Sequence, residues 1–406
     1  MKIESIKGNV AAPKGFWAGG IHSGIRKNKT KNDLALIVSE TKANVACTFT
    51  LNKVKASPLR QTMKNVADGQ AQAIIVNSGN ANSCNPDGDE KAAAMCRLAA
   101  QTVGIDAADV VVSSTGVIGK SLPLEPIEKA LPALYASLSD EDGTPAAYAI
   151  MTTDTRIKEI TVAFEIDGIA CKMGAIAKGS GMIHPNMGTM LAFITTDVAI
   201  SSAMLKNALG DVVEDTFNMI SIDGDTSTND IACVLANGQA GNKEIVKKDS
   251  AYADFEKVLR HVSTYLSREI ARDGEGAGKL IECRVTGAEK EKDAKKIAKS
   301  VIASSLFKTA MAGADANWGR VLCAVGYSGA AFNENAVDIA LSSKVGILHT
   351  CKDSMGLDFD EELAKKILSE DEIVVEIVLH DGEHCATAWG CDLTGEYVNI
   401  NASYRT

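Results

Sequence analysis

Short unbroken runs of apolar residues alternate along this chain with longer stretches in which apolar positions recur every three or four residues. The runs Ala73-Ile74-Ile75-Val76 and Val110-Val111-Val112 predict strands buried on both faces, and they flank a helix expected from about Glu90 to Thr102. Strand alternating with helix is the mark of an α/β protein. Ser57-Pro58 predicts a helix start, with Ser57 as N-cap and Pro58 as the first helical residue. Segments 160–166 and 169–175 flank Asp167-Gly168, a dipeptide suited to a two-residue hairpin turn, so antiparallel pairing is mixed into the sheet. Further helices are expected at about 201–217, 251–271 and 292–311, and strands at 190–195, 230–235 and 279–286. Pro-rich and Gly/Ser-rich linkers are missing from the sequence. The charged stretch Glu289-Lys290-Glu291-Lys292-Asp293 is the one suggestive break, which divides the chain into expected domains 1–286 and 287–406.

Composition narrows the function. In 406 residues, 42 Lys and Arg face 52 Asp and Glu, a net charge of −10 that argues against nucleic acid as a partner. Apolar runs all stop well short of the ~18 residues a membrane span requires, and the start Met1-Lys2-Ile3-Glu4-Ser5-Ile6-Lys7 lacks a secretory signal, so a cytoplasmic protein without a membrane partner is expected. The ten cysteines form no CxxC and lie in apolar segments. They are expected to be buried thiols, neither disulfides nor zinc ligands.

The stretch with chemical content is Ala177-Lys178-Gly179-Ser180-Gly181-Met182-Ile183-His184-Pro185-Asn186-Met187-Gly188-Thr189-Met190. Its glycines, proline and asparagine specify an irregular loop, and the apolar run that follows specifies a buried strand. Thr189 stands at the junction. A glycine before a hydroxyl residue permits the backbone strain that brings the hydroxyl against the preceding carbonyl. Rearrangement to an ester and cleavage would free a threonine whose α-amino group is its own base. On spacing alone, a Gly-rich turn before a core strand is the commoner meaning.

Other motifs are weaker. Gly274-Glu275-Gly276-Ala277-Gly278-Lys279 has the glycines of a phosphate loop, but Leu280 stands where Ser or Thr is needed. Asp223 to Asp230 lacks the glycine and closing glutamate of a calcium loop, and is expected to be a self-bonded turn. His380, His384 and Cys385 flank Asp381-Gly382, a dipeptide that predicts a hairpin turn, and no metal site is assigned. Arg320 is expected in a structural ion pair.

Together with Val76-Asn77-Ser78-Gly79-Asn80-Ala81-Asn82, Ser114-Thr115-Gly116-Val117-Ile118-Gly119, Asp315-Ala316-Asn317-Trp318-Gly319-Arg320 and Asn399-Ile400-Asn401-Ala402-Ser403-Tyr404-Arg405-Thr406, the loop resembles the ornithine acetyltransferase family of arginine biosynthesis. The motifs run in family order from near residue 17 to the last residue. Gly188 stands where the family more often has alanine, and His184 where a small residue is commoner. The resemblance implies a self-cleaving fold with an N-terminal threonine nucleophile, an αββα sandwich in 1–286 with a smaller α/β domain after it. Cleavage between Gly188 and Thr189 would give an alpha chain 1–188 and a beta chain starting at 189, and two of each would form a heterotetramer. The implied reaction moves acetyl from N-acetyl-L-ornithine to L-glutamate through acetyl-Thr189, in ping-pong order and without a cofactor; acetyl-CoA stays open as a second donor.

By the same resemblance Thr115 and Gly116 form the oxyanion hole, and Thr152, Lys178, Thr189, Glu275, Asn401 and Thr406 bind substrate. Charge assigns Glu275 to a substrate ammonium and Lys178 to the neighbourhood of the reacting centre. Thr153 remains an alternative to Thr152. Two competing functions are a self-cleaving amidase or aminopeptidase, and a binding module in which Thr189 is a core residue. The final residues, with Val398, Ile400 and Ala402 alternating with polar ones, predict a strand.

Overall fold

The computed structural model describes residues 1–184 and 190–402. They form two compact units, both discontinuous in sequence. The first takes in the described residues of Met1–Gly179, Asn186–Glu214 and Thr226–Leu266; the second takes in those of Ser180–Pro185, Asp215–Asp225 and Ser267–Thr406. The class is mixed α/β, and each unit is built on its own mixed sheet.

The first unit holds β1 (Glu4–Ile6), β2 (Phe16–Ile21), β3 (Leu34–Phe49), β4 (Gln70–Asn80) and β5 (Val110–Val117). It continues with β6 (Lys158–Ile166), β7 (Ile169–Lys178) and β8 (Leu191–Thr196); after the short β9 (Ile220–Ser221) of the other unit comes β10 (Ile231–Ala236). The sheet order is β1-β6-β7-β8-β10-β3-β4-β5, with β2 also paired to β3. Two pairs are parallel, β4 with β5 and β8 with β10. The first helices are α1 (Ser57–Asn65), α2 (Gly88–Val103), α3 (Glu125–Ala136) and α4 (Thr144–Ile150). Side chains of β3 to β5 alternate between two cores. Leu34, Leu36, Ala73, Ile75, Val110 and Val112 pack with Met95 and Ala99 of α2 and Leu131 of α3, whereas Ala35, Ile37, Ile74, Val76 and Val111 pack with Leu59 of α1 and Ile150 of α4. Burial on both faces is the reason these strands are continuous apolar runs. Each fully buried Leu, Ile or Val contributes about 1.5–3 kcal/mol.

The expected hairpin is present: β6 and β7 pair antiparallel through Ile166 and Ile169, with Asp167 and Gly168 both at positive φ. Helix α1 differs in its start, because Ala56 is the cap residue and Ser57 is already helical. After α5 (Ser202–Asp215) and α6 (Ser250–Arg272) come the strands of the second unit, β11 (Leu280–Ala288), β12 (Asp338–Ser343), β13 (Gly346–Lys352), β14 (Met355–Gly356), β15 (Glu372–Val378) and β16 (His384–Cys391). Their order is β14-β13-β12-β15-β11-β16-β9. Helices α7 (Glu291–Ala303), α8 (Ser305–Ala312), α9 (Trp318–Gly326), α10 (Glu361–Leu368) and α11 (Gly395–Ala402) complete it. Ala294, Ile297, Ala298, Val301 and Ile302 of α7 are buried at helical spacing.

Five expectations change here. The division expected at 286/287 falls inside β11, which bonds β15 on one side and β16 on the other, so the compact unit extends back to Ser267. The charged stretch begins α7, where Glu291 and Asp293 suit the positive end of the helix dipole. The single helix expected over 292–311 is two, because the Ser304 side chain caps α8 by accepting from the Phe307 amide. Asp381-Gly382 is not a hairpin turn: β15 and β16 flank β11, and the connection crosses its end with both amides donating to the Gly287 carbonyl at 2.7 and 2.8 Å. The C-terminal strand is helix α11, whose start is capped by Thr394 Oγ1 accepting from the Glu396 amide at 3.2 Å. Cys84, Cys323 and Cys385 are exposed, against the expectation of ten buried thiols.

Candidate active site

The parallel pair β4 and β5 ends on polar rungs, Asn77 opposite Ser114, Ser78 opposite Thr115 and Gly79 opposite Gly116. Thr115 is buried. Gly116 has φ +131°, and a Cβ there would lie 2.4 Å from the Gly79 carbonyl carbon and 2.6 Å from the Asn80 nitrogen. Two close backbones and a positive φ admit glycine alone. The turn is braced by side chains. Ser114 Oγ donates to Asn77 Oδ1 at 2.6 Å, and Asn77 Nδ2 donates to the Asn80 carbonyl at 2.9 Å. Asn229 Nδ2 donates to the Ala81 and Ser114 carbonyls at 2.7 and 2.8 Å.

Lys178 ends β7, is buried, and has its Nζ 3.5 Å from Thr115 Oγ1. Asp154 lies nearby. Its Oδ1 accepts from Lys158 Nζ at 2.7 Å and from the Gly179 amide at 2.8 Å, and its Oδ2 accepts from the Thr152 amide at 2.9 Å. Burial opposes ionisation of Asp154, but the charges of Lys158 and Lys178 and these hydrogen bonds outweigh it and hold the carboxyl well below the usual range. Asp230, just before β10, behaves oppositely. Burial pushes its carboxyl well up, against hydrogen bonds from Ser227 and Thr50 and the charge of Lys178. Among the described residues its Oδ2 has no hydrogen-bond partner.

In the second unit the loop around Gly181 is held by acids. The Glu275 amide donates to the Ser180 carbonyl at 2.9 Å, and a Cβ on Gly181 would stand 2.5 Å from the Glu275 carboxyl. Glu275 Oε2 accepts from Asn401 Nδ2 at 2.7 Å. Asp223 accepts from the Met182 amide at 2.5 Å, the Ile183 amide at 2.9 Å and the Tyr397 hydroxyl at 3.3 Å. Burial pushes up the Asp223 carboxyl and the Tyr397 phenol. His184 Nδ1 lies 2.9 Å from Ser221 Oγ, and burial, with the Lys299 charge, lowers its pKa to about 4.

With this geometry in view, the ArgJ family model matches residues 17–406. The chain is 49% identical over 405 residues to the arginine biosynthesis bifunctional protein ArgJ of Caldanaerobacter subterraneus subsp. tengcongensis, covering 100% of both chains. The chain belongs to the ArgJ family. It is an acyltransferase of arginine biosynthesis, of a bifunctional kind. The crystal structure of the ArgJ of Bacillus halodurans aligns at 46% identity and TM-score 0.50, covering 52% of this chain and 98% of that one. The ornithine acetyltransferase of Mycobacterium tuberculosis, solved in complex with ornithine, aligns at 32% identity and TM-score 0.43, covering 47% of this chain and 100% of that one.

Of the site residues expected from this ArgJ-family sequence, Thr115, Gly116 and Lys178 come together in the first unit, with the Thr152 amide bound to the same Asp154 that takes Gly179. Thr152 and Thr153 are both half-buried. Glu275 and Asn401 meet in the second unit. Gly188, Thr189 and Thr406 lie outside the described residues.

Sequence reasoning missed Asp154, Lys158 and Tyr397. An Asp and a Lys four apart signal a pair only on a helix, and this segment is not one. The Asp223 turn was legible, but not that its carboxylate is taken by amides forty residues earlier. In the phosphate-loop-like segment, Asp392 Oδ1 already occupies the Gly278 and Lys279 amides at 2.8 and 3.0 Å. His380 bonds Asp338 at 2.9 Å, and among the described residues no cluster of three metal-binding side chains occurs. Arg320 has no acid partner among the described residues; it donates to the Leu306 carbonyl and the Thr309 hydroxyl on α8 at 2.7 and 3.3 Å.

Proposed function

We propose that the protein cleaves itself between Gly188 and Thr189 and then transfers acetyl from N-acetyl-L-ornithine to L-glutamate in the cytoplasm. The Thr189 hydroxyl attacks the acetamide carbonyl and gives its proton to the freed α-amino group of the same residue. The C–N bond breaks, ornithine leaves with that proton, and the acetyl group stays on Thr189 Oγ. Glutamate then enters, its neutral amine attacks the ester carbonyl, the acyl–Oγ bond breaks, the proton the amine loses passes by way of the α-amino group to Thr189 Oγ, and N-acetylglutamate departs. Thr115 and Gly116 supply donors to the oxyanion, a contribution of roughly 3 to 4 kcal/mol per donor. Thr152, Lys178, Glu275, Asn401 and Thr406 hold substrate, with the Glu275 carboxylate on an ammonium and the Lys178 ammonium close to the reacting centre. The cleaved protein is a heterotetramer of two alpha and two beta chains.

The observation that carries this reading is the Thr115–Gly116 turn, with Thr115 buried and Lys178 against it, in a chain that the family model matches over residues 17–406. The B. halodurans chain, about half the length of this one, supports division near the middle.

The deciding experiment offers acetyl-labelled acetylornithine and glutamate to the purified protein. Label should appear on glutamate, double-reciprocal lines should be parallel, and denaturing mass spectrometry should show fragments 1–188 and 189–406 that Thr189→Ala abolishes. Label released as free acetate would mean an amidase. A parallel assay with acetyl-CoA decides whether the second donor is used.

A further inference from the structure

We propose that Asp154 is a positioning residue of the transfer site: one carboxylate binds the Thr152 and Gly179 backbones together and keeps Lys178 cationic beside Thr115. The inference deepens the reading above and rests on it for the roles of Thr152 and Lys178. Three bonds of 2.7 to 2.9 Å converge on this carboxylate. Two of them come from backbone amides on separate segments, one next to Lys178 and one at Thr152 itself. A buried ion pair with Lys158 would need neither amide. Asp154 and Lys158 are both fully buried, so the carboxylate is screened by little water and its charge is felt strongly at Lys178.

Among the described residues, Lys158 from the same segment and Lys178 from β7 face this carboxylate, and Lys178 in turn faces Asp230 from the start of β10. The Arg26 guanidinium donates to the Met151 carbonyl at the head of the segment. Asp230 is the acid that burial drives toward its neutral form, so of these two acids Asp154 is the one that carries a charge near Lys178. With it, Lys178 keeps its proton beside the reacting centre. Without it, the buried lysine loses its proton at lower pH.

Asp154→Asn alone strands the Lys158 charge and endangers folding. The double variant Asp154→Asn/Lys158→Met removes both charges at once and guards against that. Two readouts are needed. The first is competitive labelling of Lys178 with acetic anhydride across pH, mapped by mass spectrometry, which needs no transfer activity. In the folded double variant, Lys178 should be labelled about tenfold faster at pH 8 than in the wild-type protein. The second is kcat/KM for acetylornithine and glutamate, which should fall by about tenfold or more, with its alkaline limb displaced to lower pH.

Unchanged Lys178 labelling in a folded variant would overturn the proposal, and so would a kcat/KM within threefold of wild type. A kcat/KM reduced equally at every pH would mean Asp154 is structural only. A wild-type protein that moves no acetyl between these substrates would instead overturn the proposed reaction, and the labelling would still decide what Asp154 does to Lys178.

Discussion

At the scale of single residues, burial sets the charge state of groups around the loop. His184 illustrates the sign. Its ring titrates near 4 in the folded protein against 6.5 ordinarily, because burial and the Lys299 charge disfavour the imidazolium. As pH falls the unfolded chain takes up the proton first. Stability is therefore full above pH 6.5 and is lost as pH falls toward 4. Allowing for the solvent that reaches a half-buried ring, the loss is about 2 kcal/mol. His184→Gln should be unfolded by denaturant at the same concentration relative to wild type at pH 7.5 and 8, and should gain on wild type at pH 5. A gap between the two proteins that does not change with pH would contradict this.

At the scale of elements, the break between α7 and α8 shows how one side chain divides a helix. Residues 292–311 carry a helical pattern almost throughout, and the sequence predicts one helix. Ser304, at φ −70° and ψ 110°, leaves the helical region and caps α8. Ser304→Ala should lower stability by about 1 kcal/mol with an unchanged denaturant slope, the signature of a lost cap in an intact fold. A stability equal to wild type would show that packing alone sets the break. The strands of β4, β5 and the β6–β7 hairpin were legible, since buried runs and Asp167-Gly168 are local signals. Helix α11 was not. Its alternation of Val398 and Ile400 with asparagines imitates a strand, but none of its residues is buried, so there was no buried face for a period to report. The signal that could have found it was Thr394, an N-cap two residues before Glu396.

At the scale of the whole molecule, the proposed assembly gives a test. Light scattering on the native protein should report twice the mass of one 406-residue chain, while denaturing conditions release the two fragments. A native mass of one chain would remove the heterotetramer and leave the chemistry standing. The sequence by itself determined the class and the both-faced strands, and its family resemblance pointed to Thr115, Gly116, Lys178, Glu275 and Asn401 as the residues to watch. These follow from local pattern, or from motifs that stay contiguous in the chain. Only the tertiary structure decided the division into units, because the described residues of 180–184 and 215–225 join 267–402 through contacts between residues far apart in sequence. It alone revealed Asp154 and the amides that Asp223 holds. Their importance lies in which amides they reach, and their opposite charge tendencies come from surroundings that folding creates: two lysines beside Asp154, burial around Asp223.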